Sequence, residues 1–178
     1  MIIRADADRL HFPPHGENFF SSLVAVGLLK AKQCPERLHD LRIWWREQEE
    51  PDGHFGEVIG IPFTLQVFAG LKNCPSCPDL RLESDKALIL IEAKLQGPIE
   101  ETQWKVFEYL AQHPTEKPKI YLLMAIPSFG QTRVNPGQLP EFYRCGLQLS
   151  ARGVKSGFVE LPHAVNWACD LLQLNCLQ

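Results

Sequence analysis

Two acids and a lysine stand close together in the stretch CPDLRLESDKALILIEAKLQG, residues 77–97. The apolar run from Ala87 to Ile91 ends abruptly in Glu92, Ala93 and Lys94, and Asp79 precedes it. Side chains alternate faces along a strand, so Glu92 and Lys94 project together while Ala93 points the other way. Whether Asp79 joins them depends on hairpin register. A two-residue turn at Ser84 and Asp85 sets Glu83 against Lys86 and Asp79 against Leu90, on the face that carries Glu92. A four-residue loop closed by Leu82 and Ala87 gives the same register, and a three-residue loop reverses the face. Carboxylates at the edge of so apolar a strand are costly to bury without a partner. A hard divalent cation, Mg2+ or Mn2+, is one solution, because Mg2+ takes one or two carboxylate oxygens and keeps several waters. Such a cation lowers the pKa of a bound water, and a lysine beside it positions that water or steadies charge growing on a phosphoryl oxygen. The plainer alternative is an ion pair between Glu92 and Lys94 at the strand end.

The surrounding elements must hold these residues in place. His15 to Lys32 predicts a first helix, with Phe20, Val24, Gly27 and Ala31 on one stripe and Glu17 near its start. Pro35 opens a predicted second helix to about Glu49, burying Leu38, Leu41 and Trp45. Turn residues punctuate PDGHFGEVIGIP, and Phe63 to Phe68 fits either a strand or a helix. Asp79 to Glu83 and Ala87 to Leu95 are the arms of a predicted hairpin whose second arm is buried. Gly97 and Pro98 open a helix through about Gln112, and Lys119 to Ile126 predicts another buried strand. After a loop rich in Gly and Pro, Phe142 to Leu149 and Gly157 to Leu161 are expected as short strands, and Ala164 to Leu174 as a closing helix. This order predicts an α/β fold, a mixed β-sheet flanked by helices. One domain over residues 1–178 is expected, with a core at about 15–126 and a C-terminal extension at about 127–178.

At 178 residues the chain has the length of one ordinary domain, and 45% hydrophobic with 22% charged residues argues against disorder or a fibrous repeat. No run approaches the roughly 20 apolar residues of a membrane span. The opening MIIRADADRLHFPP lacks the pattern of a secretory signal, so a cytoplasmic chain whose six cysteines are mostly reduced is expected. A net charge of −3 argues against coating nucleic acid by bulk charge and leaves room for a local basic groove.

Pro78 and Asp79, followed by Glu92, Ala93 and Lys94 at the end of a buried strand, resemble the PD-(D/E)XK nuclease superfamily, also called restriction-endonuclease-like. The resemblance covers Pro78 to Lys94 in residues and about Gly16 to Ile126 in topology. It implies a mixed-sheet core flanked by helices and Mg2+-dependent hydrolysis of phosphodiester bonds. Asp79 and Glu92 would then be metal ligands and Lys94 part of the catalytic centre. Many members carry a glutamate on the first helix that reaches the metal, and Glu17 matches by position; as a helix-start acid it also suits the macrodipole. RecB-like members follow the core strand with a helix bearing glutamine and, four residues on, tyrosine. Gln103 matches the glutamine, on the stripe of Ile99, Val106, Phe107 and Leu110. Phe107 stands at the tyrosine position, a departure that leaves the subtype open.

Other motifs compete. Cys74 and Cys77 form a C-x-x-C that could be half of a zinc site, but a second pair is missing, so structural zinc is disfavoured. Trp44 and Trp45 could stack on bases, against the ordinary reading of one core anchor and one boundary residue. Arg133, Arg144, Arg152 and Lys155 make the late region locally basic, a candidate phosphate-contacting set or a solvated face. The expected function is a metal-dependent nuclease with DNA as substrate, Asp79, Glu92 and Lys94 at its centre and Glu17 and Gln103 as secondary candidates. Two alternatives stay open: a degenerate nuclease fold that binds nucleic acid or protein, with a protein partner supplying recognition, and a small zinc-stabilised interaction domain.

Overall fold

The computed structural model describes residues 16–45, 51–68, 77–95, 101–113, 115–126 and 140–174, apart from the side chains of residues 16–17, 101–104 and 140–143. Helix α1 (Gly16–Ala31) is followed by a 3-10 turn (Pro35–Asp40), β1 (Arg42–Trp45), β2 (Gly53–His54), a one-turn α2 (Phe55–Val58) and β3 (Phe63–Val67). The hairpin arms are β4 (Leu80–Ser84) and β5 (Leu88–Lys94). Then come α3 (Glu101–Gln112), β6 (Lys119–Ala125), α4 (Pro140–Ser150), β7 (Val154–Glu160) and α5 (Leu161–Leu172).

The strands form one seven-stranded mixed sheet in the order β2-β1-β7-β6-β5-β4-β3. The central strands β5, β6 and β7 are parallel, and the flanking pairs are antiparallel. Parallel neighbours need a crossover, and the helices α3 and α4 supply it on one face. Against that face Val106, Phe107 and Leu110 of α3 and Cys145 and Leu149 of α4 meet Leu88, Leu90, Tyr121, Leu123 and Phe158. The other face carries α1 and α5, with Val24, Leu28 and Ala31 and then Ala164, Trp167 and Ala168 over Ile89, Ile91, Ile120 and Leu122. Covered on both sides, β5 is buried at every position, which is why its sequence is a continuous apolar run. Gly27 lets α1 and α5 approach closely, since a Cβ there would lie 2.9 Å from the Cβ of Ala168.

Two sequence expectations are corrected. The helix expected from Pro35 to Glu49 is only the 3-10 turn, and Arg42–Trp45 is a strand; residues 46–50 lie outside the described residues. The run RIWW is rich in β-forming side chains, and β1 pairs antiparallel with β7, a long-range partner that a local reading cannot see. In a strand adjacent tryptophans face opposite sides, so Trp44 enters the core beside α3 and α4 while Trp45 packs at the margin of the other core. The second correction is Phe142–Leu149, which is the body of helix α4 rather than a strand. Its buried Cys145 and Leu149 sit four residues apart, the helical repeat. The strand expected at Gly157 begins earlier, at Val154, and occupies the middle of the sheet between β1 and β6.

Candidate active site

The hairpin turn determines which side chains meet. The Ser84 hydroxyl accepts the backbone N–H groups of Lys86 at 3.1 Å and Ala87 at 3.3 Å, and also that of Gly60 at 3.1 Å. Ser84 N–H donates to the carbonyl of Ala87 at 3.0 Å, so Asp85 and Lys86 form the tip of the turn. The pairing is then Glu83 with Leu88 and Leu80 with Ile91. This differs from the expected register by two residues and keeps its parity. Continued by one residue, the register carries Asp79 from its expected place opposite Leu90 to a place opposite Glu92. Directly opposed residues hold their Cβ atoms about 4.5–5.5 Å apart.

Asp79 is held from two sides. Its carbonyl accepts the N–H of Phe68, just past β3, at 2.8 Å, and its Oδ2 accepts the N–H of Ala93 at 2.6 Å. It therefore ties the end of β3 to the end of β5. Ala93 turns into the apolar core under α1 and α5, and Glu92 and Lys94 face the side of α3 and α4. The Lys94 ammonium lies 3.7 Å from Oε1 of Glu92, an ion pair longer than a hydrogen bond. Asp79, Glu92 and Lys94 are only 9%, 6% and 9% exposed, so the structure buries the two acids and the lysine together, at one end of one hairpin.

Two carboxylates and one ammonium are thus gathered in one buried place. The next cation along the face, Arg81, is directed to Glu83 at 3.0 Å, and Lys117 reaches the same Glu83 at 3.5 Å. Buried carboxylates are stable only where cations or hydrogen-bond donors meet them. Hard carboxylate oxygens suit Mg2+ or Mn2+ in kind, and Asp79 and Glu92 are the residues that could hold it. Among the described residues no group of three or more His, Cys, Asp or Glu side chains converges.

The site lies at the carboxyl ends of the parallel strands, where ligands bind in open α/β sheets. Lys94 is in register with Ala125, and Ala125 with Glu160, on the same face. Glu160 and Tyr121 were not singled out from the sequence; a polar-tipped residue inside KIYLLMAI was the available signal for Tyr121. Burial pushes the Tyr121 hydroxyl well above its ordinary pKa, with the thiol of Cys145 and the carboxylates of Glu92 and Asp79 adding to the effect in that order. Its ring meets Phe107 edge-on, with centroids 4.5 Å apart.

The remaining candidates divide. Glu17 is in the first turn of α1 and Gln103 in that of α3, with both side chains outside the described residues. Val106, Phe107 and Leu110 of the apolar stripe expected around Gln103 are buried, and Ile99 lies outside the described residues. Arg144, in the middle of α4, and Arg152, just past its end, are exposed, and Arg152 pairs with Glu108 of α3 at 3.7 Å. Lys155 lies apart from them, with its ammonium 3.5 Å from the Trp45 ring centroid beside the other core. Arg133 lies outside the described residues. Cys74 does as well; Cys34, Cys77 and Cys145 are free thiols, and Cys169 is disulfide-bonded. His54 precedes α2, with Nδ1 2.6 Å from the carbonyl of His39 and its N–H donated to Glu57 at 3.2 Å, a capping role. No helix among the described residues is long and apolar enough to cross a membrane.

No protein-family model matches the chain, and no curated protein does. The geometry of the hairpin end is therefore what bears on function.

Proposed function

We propose that this chain is a Mg2+-dependent nuclease of restriction-endonuclease-like architecture that hydrolyses phosphodiester bonds in DNA. One observation carries the reading: Asp79, Glu92 and Lys94 are buried together on one face at the open end of the β4–β5 hairpin. Asp79 and Glu92 would hold the cation. A bound Mg2+ supplies positive charge at a scissile phosphate and lowers the pKa of water. Lys94 adds a fixed positive charge that stabilises negative charge developing on a phosphoryl oxygen. The hydrogen bond from Ala93 N–H orients Asp79, so the carboxylate is in place before any ligand arrives. The apolar cores beneath both faces keep β5 rigid. Glu17 and Gln103 are further candidates, and Arg144 and Arg152 are candidates for contacts to phosphate.

A second reading has its own observation. Asp79 already accepts from Ala93, and Glu92 already faces Lys94, so the charges can satisfy one another in a module that binds DNA or a protein partner without cleaving. Cleavage assays on linear, circular and single-stranded DNA with Mg2+, Mn2+ or EDTA separate the two. The nuclease reading expects cleavage that requires the divalent ion and falls on the order of 1000-fold or more in Glu92→Gln. Full activity in the mutant, or a folded wild type inert on every substrate, would overturn it.

A further inference from the structure

Among the described residues the hydroxyl of Tyr121 is a buried polar group with no hydrogen-bond partner. Neither Ser156, its neighbour in register on β7, nor Cys145 on α4 accepts from it. Buried tyrosine hydroxyls are ordinarily bonded, and leaving one unbonded has a cost in stability. A phenylalanine would fill the same space against Phe107 without that cost. The position of the hydroxyl gives a reason for it. Tyr121 is in register with Leu90, so Glu92 is the next residue of β5 on the same face, a diagonal neighbour at about 7–8 Å between backbones and within reach of an aromatic side chain. Asp79 is the next acid along that face, and the charges of both acids act on the phenol. The phenol stays protonated, so it is a donor.

We infer that Tyr121 is a positioning residue of the carboxylate site, whose hydroxyl donates through one bridging water to Glu92 and holds that carboxylate in its orientation. Tyr121 is only 1% exposed, too deep to meet a substrate at the surface. It acts through Glu92, as an outer group orients a ligand carboxylate. The metal-affinity part of the test rests on the site reading proposed above; the part done in EDTA does not.

The probe is Mn2+ with the full chain, comparing wild type, Tyr121→Phe, Glu92→Gln and the double mutant. Tyr121→Phe is expected to weaken calorimetric Mn2+ binding by about tenfold and to change the electron paramagnetic resonance line shape of the bound ion. In EDTA, the melting shifts of Tyr121→Phe and Glu92→Gln are expected to be non-additive, since residues sharing a hydrogen-bond network couple. Additive shifts together with unchanged Mn2+ affinity and line shape would overturn the inference. If wild type binds no Mn2+, the metal reading fails by itself, and the EDTA cycle still decides on Tyr121: non-additive shifts uphold its link to Glu92 and additive shifts end it. Should Tyr121→Phe not fold, a fluorinated tyrosine at this position keeps the ring and strengthens the donor. Mn2+ affinity or, without metal binding, the melt of this variant must then differ from wild type, and no change in either overturns the link.

Discussion

The two faces of the sheet are made from the same strands and follow different rules. Under α1 and α5 the apolar residues that the strands bury include Leu80, Leu82, Ile89, Ile91, Ala93, Ile120, Leu122 and Met124. The buried polar residue that β4 turns to that side, Ser84, is a hydroxyl accepting several backbone N–H groups. Under α3 and α4, the same strands bury Leu88, Leu90 and Leu123 together with Asp79, Glu92, Lys94 and the Tyr121 hydroxyl. One face holds the strands in place; the other uses that rigidity to keep charge out of water. Without ligands a cluster of buried charges gains little over apolar packing, because desolvation cancels much of the attraction. The polar face is thus the one that suggests a use beyond stability.

The sharpest break between the faces is expected from Leu122→Ala. Leu122 is fully buried beneath α1 and α5, so truncation should cost about 2–5 kcal/mol in denaturant melts and leave divalent affinity of the folded protein unchanged. A large change in metal affinity would show that the apolar face is not simply a support. Lys94→Ala tests the polar face. Turnover should fall about 100-fold, with metal affinity kept within a few fold. The mutant should also melt lower in EDTA, because Glu92 loses its ion-pair partner, and Mg2+ should narrow the gap. Calorimetric loss of metal binding in Lys94→Ala would contradict a role beside the cation.

The smallest effect separates the two jobs of Asp79. Asp79→Ala leaves the Ala93 N–H without its acceptor and should cost about 1–3 kcal/mol in EDTA. Asp79→Asn keeps an oxygen for that bond and removes one of two neighbouring like charges, so its melt in EDTA should equal or slightly exceed wild type. Mg2+ at a hundredfold excess over Kd should stabilise wild type by about 2.7 kcal/mol and Asp79→Asn far less. Equal metal shifts in both proteins would leave Asp79 as a structural cap only.

The hairpin and its faces were legible because alternation is local: Glu92 and Lys94 share a side of β5 whatever surrounds them. The register was legible only in parity. Serine at the first turn position bonds backbone groups ahead of it, a known turn device, and the Ser84 hydroxyl moved the tip to Asp85 and Lys86. An even shift preserves faces, so the grouping of Asp79 with Glu92 survived the error. An odd shift would have sent Asp79 into the apolar core.

Other features needed partners distant in the chain. Pro35 correctly marks a helical start, but Arg42–Trp45 becomes a strand because β7, more than a hundred residues later, pairs with it. In the sequence α4 reads as a strand because Cys145, Leu147 and Leu149 alternate with Gly146 and Gln148, whereas in the fold Leu147 is exposed and the helix covers the sheet as the crossover between β6 and β7. Sequence alone therefore determined which residues carry charge, that a buried strand ends in an acid and a lysine, and the parity that brings Asp79 to their side, since each follows from composition and a two-residue period. Tertiary structure decided the burial of those charges, the hydrogen bond from Ala93 to Asp79 and the place of the Tyr121 hydroxyl, buried without a hydrogen-bond partner among the described residues. Those depend on how β5, β6, α3 and α4 pack, and packing between segments far apart in the chain leaves no local period to read.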